Sequence, residues 1–506
     1  MSVVGHKSPR RLRALLDQAG VTAPVAGPPD TLISGLTDHS ADVQPGDCFV
    51  AIRGTRFDGH RCIGDAVTAG ASAVITQHTI DPIAGVAAVR VDDTRSVLAR
   101  LAAGFCGIHA IQKTGGLRLV GVTGTNGKST VCALITAMLR RAGRVTASFG
   151  TLVNDTIRRR VSARMTTPSP LSLCAGLAEA VDAGATDAVI EVSSHALDQR
   201  RCDGLVFSAA SFTNLSRDHL DYHFDLDAYA DAKARLFDGL GPGAAAVVNA
   251  DDDHAGRMAM STSARVVRVS RRAGADLVAR VLRLSAAQTR IAIQYGDGAV
   301  LSITSPMVGM HNVYNVLVAV GTALALGVRI EHITAAVASF RGVPGRLQRV
   351  GPDDLPFRVF VDYAHTPDAL ASVLSALREV TNRRIICVFG CGGDRDRDKR
   401  PMMGRAVTRA ADVAVLTSDN PRSEEPTAIM QQVAAGMIHG RGCAVVKEAD
   451  RRRAIGIAIR MAGPGDTVLI AGKGHETYQQ VGGQQLPFDD VAVASDALCA
   501  HAGGQP

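Results

Sequence analysis

At 506 residues the chain is too long for one ordinary core, and two to four domains are expected. Charged residues make up 20% and tryptophan is absent; 55 lysines and arginines against 48 acids leave a net charge of only +7. With no basic stripe interleaved with aromatics, that balance argues against a nucleic-acid binder and suits acidic small-molecule substrates.

The ten cysteines form no C-x-x-C pair and no framework spacing, which reads as reduced thiols in cytosol. No run of about 18 apolar residues occurs, and the basic N-terminus has no apolar signal region, so the expectation is a cytoplasmic protein without membrane insertion. Neither end of the chain (roughly 1–30 and 497–506) carries a functional signal.

From residue 31 to about 112, short apolar runs ("CFVAIRG", "ASAVIT", "AAVRV") precede a helical "SVLARLAAGFCGIHA", the pattern of a small α/β module. The next segment opens with "LRLVGVTGTNGKSTVCALITAMLRRAG", an apolar strand, a glycine-rich turn and a helix with Val131, Leu134, Ile135, Met138 and Leu139 on one face. The turn is close to the phosphate-loop pattern G-x-x-x-x-G-K-[ST], but Val122 stands where its first glycine belongs. In such a loop, backbone N–H groups at the helix start cradle phosphates, Lys128 supplies a point charge and Ser129 reaches magnesium. A plain Gly/Thr/Ser turn capped by Ser129 is the alternative.

Further strands are expected at "DAVIEVSS", "SAASFTNLS" and "AAAVVNADD", then a β-rich stretch with a hairpin turn at "YGDG" and two helical patterns. "RGVPGRLQRV" (341–350) carries Gly, Pro and Gly and reads as an interdomain linker. In the last third, "FRVFVDYAHTP", "RRIICVFGCGGDRDRDKRP", "DVAVLTSDNPR" and "TVLIAGKGHE" each run from an apolar strand straight into polar, glycine-rich residues. Parallel sheets place such turns at their carboxyl edge, where α/β folds bind ligands.

The blocks "GVTGTNGKST", "TTP", "EVSSHALDQRR", "NLSRDHLDYH", "DAKARLF", "HNVYN", "GRLQRV", "VDYAHTPDAL", "FGCGGDRDRDKRPMMG", "SDNPR" and "AGKGHE" resemble, in order, the Mur ligase family of ATP-dependent amide-forming enzymes. The resemblance implies an α/β fold of three domains: a small N-terminal UDP-binding domain (1–115), a central P-loop ATPase domain (116–343) and a Rossmann-like C-terminal domain (344–506). It implies Mg2+ as cofactor and ATP as co-substrate. It also implies UDP-N-acetylmuramoyl-L-alanyl-D-glutamate and meso-diaminopimelate as the other substrates, and a monomer.

Residue by residue, the resemblance assigns Gly124, Thr125, Asn126, Gly127, Lys128, Ser129, Thr130, Asn312, Arg346, Asp362 and His365 to ATP. Glu191 and His219, with Ser129, match magnesium ligands; by themselves they could be a solvated carboxylate and a loop histidine beside Asp218 or Asp221. Lys233 looks like an exposed helical lysine, yet the matching lysine of the family is carbamylated and helps hold the metal, which needs an amine whose charge is disfavoured. Thr166, Thr167, Ser193, Gln199 and Arg201 fall to the muramoyl-peptide. Met165 departs from the family's usual asparagine, and "HSADVQPGD" keeps only Ser40 of an Asp-Ser-Arg triplet. Ser40 is the uridine-nucleotide candidate, with Thr55, Arg56 and Phe57 in the next loop; an ST-turn is its plain reading.

In "DNPR", Asp419, Asn420, Pro421 and Arg422 follow a strand, with the Pro expected at the base of the next helix. Arg422 could clamp the distal carboxylate of diaminopimelate with two parallel hydrogen bonds and would repel the ammonium of lysine. Glu476 would hold the distal ammonium, and Arg395 and Gly472 complete the implied pocket. The charge run "GDRDRDKR" could otherwise be a solvated loop. A lysine-adding or folate-polyglutamylating ligase is the near rival, and a nucleotide switch without bond formation the distant one.

Overall fold

The computed structural model describes residues 3–28, 30–54, 57–296, 298–352, 354–438 and 442–503. The chain forms two compact units: Met1–Val278 with Val316–Ile333, and Ala279–Asn315 with Thr334–Pro506.

The first unit holds two sheets. In the smaller, Leu32–Thr37, Cys48–Val50, Ala73–Thr76 and Ala87–Arg90 pair in parallel, with Val3–Arg11 and Val25–Ala26 antiparallel at the two edges. The N-terminal segment thus contributes a strand, followed by a helix, Leu12–Gln18, that buries Leu12, Leu15 and Leu16. The larger sheet has a parallel centre, Thr146–Phe149, Asp187–Glu191, Arg118–Thr123, Phe207–Phe212, Ala245–Asn249 and Arg265–Ser270. Its innermost strands, Asp187–Glu191, Arg118–Thr123 and Phe207–Phe212, are almost wholly buried, as expected where both faces are covered. Helix Lys128–Arg141 packs on it and buries the predicted face Val131, Leu134, Ile135, Met138 and Leu139.

Pairing of Val122 with Glu191 and of Thr123 with Phe212 ends three strands side by side, so the phosphate loop, the Glu191 turn and residues 213–216 share one edge. Val122 is fully buried inside its strand, which runs on to Thr123. The loop therefore starts at Gly124, and the glycine missing from the motif would have stood in the sheet.

In the second unit, Gln348–Val350, Arg358–Asp362, Thr467–Ala471, Ile385–Phe389, Val413–Leu416 and Ala444–Lys447 form one sheet, antiparallel only at the first pair. Side chains alternate between its faces. Phe360, Cys387 and Leu469 pack with helices Pro367–Arg378, Lys399–Ala410 and Pro426–Ala434, whereas Val359, Val361 and Val468 pack with Arg451–Met461 and Asp490–Gly503. The expected hairpin is present as Thr289–Tyr295 and Ala299–Ser305. Residues 341–350 do not form a free linker: Gln348–Val350 joins the sheet by pairing Gln348 with Val361 and Val350 with Val359. Its Gly and Pro mark the turn before an edge strand. Among the described residues no helix is long and apolar enough to cross a membrane.

Candidate active site

The phosphate loop is built around Gly124, at φ +144°, where an added Cβ would lie 1.9 Å from Thr213 Oγ1. Gly127, also left-handed at φ +87°, starts the helix. Lys128, Ser129 and Thr130 form its first turn, whose N–H groups have no partner within the helix. The N–H of Thr125 donates instead to Asn214 O (2.8 Å) and that of Asn126 to Asn214 Oδ1 (3.0 Å). Thr125 Oγ1 lies 3.2 Å from the hydroxyl of Tyr229. These two predicted ATP contacts thus latch the loop to the chain beneath it.

Lys128 Nζ donates to the carbonyls of Gly124 (3.0 Å) and Thr125 (2.8 Å), and Lys233 Nζ donates to the same Gly124 carbonyl (2.9 Å). Lys233 is 1% exposed, contrary to the reading of an exposed helical lysine. Helix Leu226–Asp238 buries it along with Tyr229, Ala230 and Phe237, and the Tyr229 ring lies 4.2 Å from Nζ. Burial first, then the charge of Lys128, pushes the Lys233 ammonium well below its ordinary range, with Asp218 opposing.

Glu191 is buried at the end of its strand. Its Oε1 accepts the Thr151 N–H (3.1 Å), and its Oε2 accepts the hydroxyls of Thr151 (2.9 Å) and Ser129 (3.0 Å). Thr151 escaped the sequence reading, though "FGT" closes another parallel strand and so had to reach the same edge. His219 is half-exposed at φ +54°, with Nε2 3.5 Å from Asp218 Oδ2 and its ring 4.8 Å from that of His195. A hydroxyl already touching a buried carboxylate, with an imidazole from the next loop, is a donor set that fits a hard divalent cation. A second cluster, Asp58, His60 and His78, does not. His60 Nδ1 bonds Asp58 (2.6 Å) while Nε2 accepts the Gln77 N–H (3.1 Å), so neither ring nitrogen is left for a metal.

A cavity of about 160 Å³ is lined by Asp38, Arg95, Met165, Ser169, Gln199 and Arg201, among others. Gln199 and Arg201 are predicted muramoyl-peptide contacts and Met165 is the departure noted before the paired threonines; Asp38, Arg95 and Ser169 were not foreseen. Burial raises the Asp38 carboxyl, with His39 and Arg95 opposing. Arg201 donates to Thr167 O (2.8 Å) and Gln199 Oε1 (2.7 Å). Thr167 is fully buried and ties Glu191 O to Ser193, Ser193 caps the helix Ser194–Asp198, and the Thr166 hydroxyl lies 3.2 Å from that of Thr151. Ser40 opens a single 3-10 turn, Ser40–Asp42, and does not line the cavity. Thr55 and Arg56 lie outside the described residues, and Phe57 is exposed.

In the second unit, Asn312 uses its amide locally, donating to Val308 O (2.8 Å) and accepting from Asn315 (3.0 Å). Arg346 lies over the Tyr363 ring at 5.1 Å. Asp362 accepts the N–H groups of Leu347 (2.7 Å) and Ala364 (2.9 Å); burial raises its carboxyl, and these bonds and Arg346 oppose the rise. His365 is exposed, with Nδ1 2.7 Å from Tyr363 O.

The remaining predicted residues meet at the carboxyl edge of the same sheet. Gly472, at φ +118°, leaves room for Asp419, whose Oδ2 would lie 2.4 Å from an added Cβ. Arg422 takes φ +53°, donates from its backbone to Gln480 O (2.9 Å) and from its guanidinium to Gly393 O (2.6 Å). Pro421 is not at the base of a helix; the next one starts at Pro426, and the intervening turn pairs Arg422 with Val481. Arg395 is exposed in the loop that follows Ile385–Phe389. Its neighbours are anchored: Asp394 accepts from Ser423 (2.6 Å), and Arg397 and the fully buried Arg400 pair with Glu424 at 3.3 and 2.8 Å. Glu476 accepts from Asn420 (2.8 Å) and from Lys473 (3.3 Å), a buried lysine absent from the sequence reading.

Three family models match the chain: Mur ligase family, catalytic domain, over residues 32–106; Mur ligase middle domain over 122–323; and Mur ligase, glutamate ligase domain over 345–474. A protein of Gloeobacter violaceus named UDP-N-acetylmuramoyl-L-alanyl-D-glutamate–2,6-diaminopimelate ligase is 44% identical over 491 residues, 96% of this chain and 98% of the relative. One of Solibacter usitatus with the same name is 43% identical over 92% of this chain and 94% of its own. A solved structure of a ligase so named matches with a TM-score of 0.73 at 34% identity, covering 98% of this chain and all of the other.

Proposed function

The chain belongs to the Mur ligase family, and from that membership we propose that it joins meso-2,6-diaminopimelate to the D-glutamate γ-carboxylate of UDP-N-acetylmuramoyl-L-alanyl-D-glutamate, using ATP, in peptidoglycan precursor synthesis. The observation that carries the reading is the full-length similarity to diaminopimelate ligases, joined to an arginine at position 422.

A bare carboxylate is a poor electrophile. Transfer of the ATP γ-phosphoryl group to it forms an acyl phosphate; the amine of diaminopimelate then attacks the carbonyl carbon, the C–N bond forms, phosphate leaves and the amine sheds a proton. The protein's share is positioning and charge neutralisation. The first turn of helix Lys128–Arg141 offers N–H groups and the Lys128 ammonium to phosphate oxygens. Ser129, Glu191 and His219 would hold Mg2+, which when bound offsets phosphate charge. Lys233, held toward its neutral form, adds to carbon dioxide with loss of a proton, giving an anionic carbamate beside these ligands. Gln199 and Arg201 hold the muramoyl-peptide, Arg422 the distal carboxylate of diaminopimelate and Glu476 its ammonium. The labour divides over residues 1–115 for the uridine nucleotide, 116–343 for ATP and 344–506 for the amino acid.

The test offers purified protein UDP-muramoyl-dipeptide with diaminopimelate or lysine and follows ADP. ADP release should need both precursor and amine and should be fastest with diaminopimelate. Release from ATP alone, independent of both, would identify a nucleotide switch instead.

A further inference from the structure

Lys473 stands between Gly472 and Gly474 in the turn after strand Thr467–Ala471, with no exposed surface. Its ammonium donates to Asn420 Oδ1 at 2.9 Å and to Glu476 Oε2 at 3.3 Å. The Asn420 amide donates to the same Glu476 oxygen at 2.8 Å, closing a triangle of cation, amide and carboxylate. Asn420 Oδ1 also accepts the Gln480 N–H at 2.9 Å, and the Gln480 carbonyl accepts the N–H of Arg422.

Two consequences follow from the donor count. Glu476 Oε2 has two donors, so Oε1 is the oxygen left to meet an incoming ammonium, and the side chain retains a fifth of its surface for that purpose. The turn 420–422 is also tied to Glu476 twice, directly through the Asn420 amide and again through Lys473, and Gln480 in strand Tyr478–Val481 joins Asn420 to Arg422. Volume alone does not call for a lysine here: a methionine would fill the space without the cost of immersing a charge.

We infer that Lys473 is a positioning residue of the amino-acid pocket. It sets the separation between Glu476 and Arg422, so that an amino acid charged at its far end is measured between them. The inference rests on the diaminopimelate reading above, and its test separates the two.

Lys473→Met and Lys473→Gln are assayed by ADP release with each of the three substrates varied in turn. Lys473→Met should raise KM for diaminopimelate about tenfold or more, with KM for ATP and for UDP-muramoyl-dipeptide within about twofold. Lys473→Gln keeps an N–H donor and should raise it less; if the Met variant does not fold, the Gln variant decides. An unchanged diaminopimelate KM, or three KM values rising together as a packing role would give, overturns the positioning role while the wild-type reaction stands. A wild type that releases no ADP with diaminopimelate overturns the reading beneath it, and this inference with it.

Discussion

The phosphate loop and the amino-acid rim treat buried positive charge in opposite ways. At the rim, each fully buried cation among the described residues faces a carboxylate: Arg400 with Glu424, Arg451 with Asp490, Lys473 with Glu476. At the loop, Lys128 and Lys233 share one neutral carbonyl, that of Gly124. The rim is self-neutralised and can hold its shape before any ligand arrives. The loop brings two ammonium groups to one carbonyl, and burial together with the charge of Lys128 depresses the Lys233 ammonium.

The harshest way to break this contrast is Lys233→Ala. It should lower ligation by roughly a hundredfold or more, and small added carboxylates should restore part of the rate by standing in for the carbamate. Full activity in the unsupplemented variant would remove Lys233 from the chemistry. Next in size comes Arg422→Ala, which takes away the rim cation assigned to the distal carboxylate of the substrate. The preference for diaminopimelate over lysine, read as a ratio of kcat/KM, should shrink by at most about 3–5 kcal/mol; a preserved ratio would move specificity to another residue.

The smallest effect concerns the rim's own pairing. Arg400 first, then the N–H of Asp394 and the charge of Arg397, hold the Glu424 carboxyl at about 2 against an ordinary 4.5. A carboxyl lowered on folding stabilises the protein fully above its unfolded value and loses that contribution as pH falls through the folded value. The gap in unfolding free energy between wild type and Glu424→Gln should therefore be constant above about pH 4.5 and close toward pH 2. A gap that persists unchanged to pH 2 would mean the ion pair contributes nothing.

What the sequence made legible was local. The strand, glycine turn and helix at 118–141 follow from an apolar run, two glycines and a helical face, and each rim motif follows from a strand ending in polar residues. What it hid was proximity between distant segments. Thr125 meets Tyr229, Thr151 joins Ser129 on Glu191, and Asn420 meets Lys473, at separations no periodicity encodes. Lys233 lies between these cases: Tyr229, Lys233 and Phe237 recur four residues apart, so the spacing already put the lysine on the buried face of its helix. The plain reading of an exposed lysine fails there, while the disfavoured charge that the resemblance implies agrees with its burial.

The left-handed backbone at Arg422 bears on how this protein could change. An arginine there gives up roughly 1 kcal/mol or more relative to glycine, and asparagine or glycine would occupy the position with less distortion. Exchange of this residue for glycine or asparagine therefore runs downhill in backbone conformation, and what the arginine offers against that cost is its guanidinium.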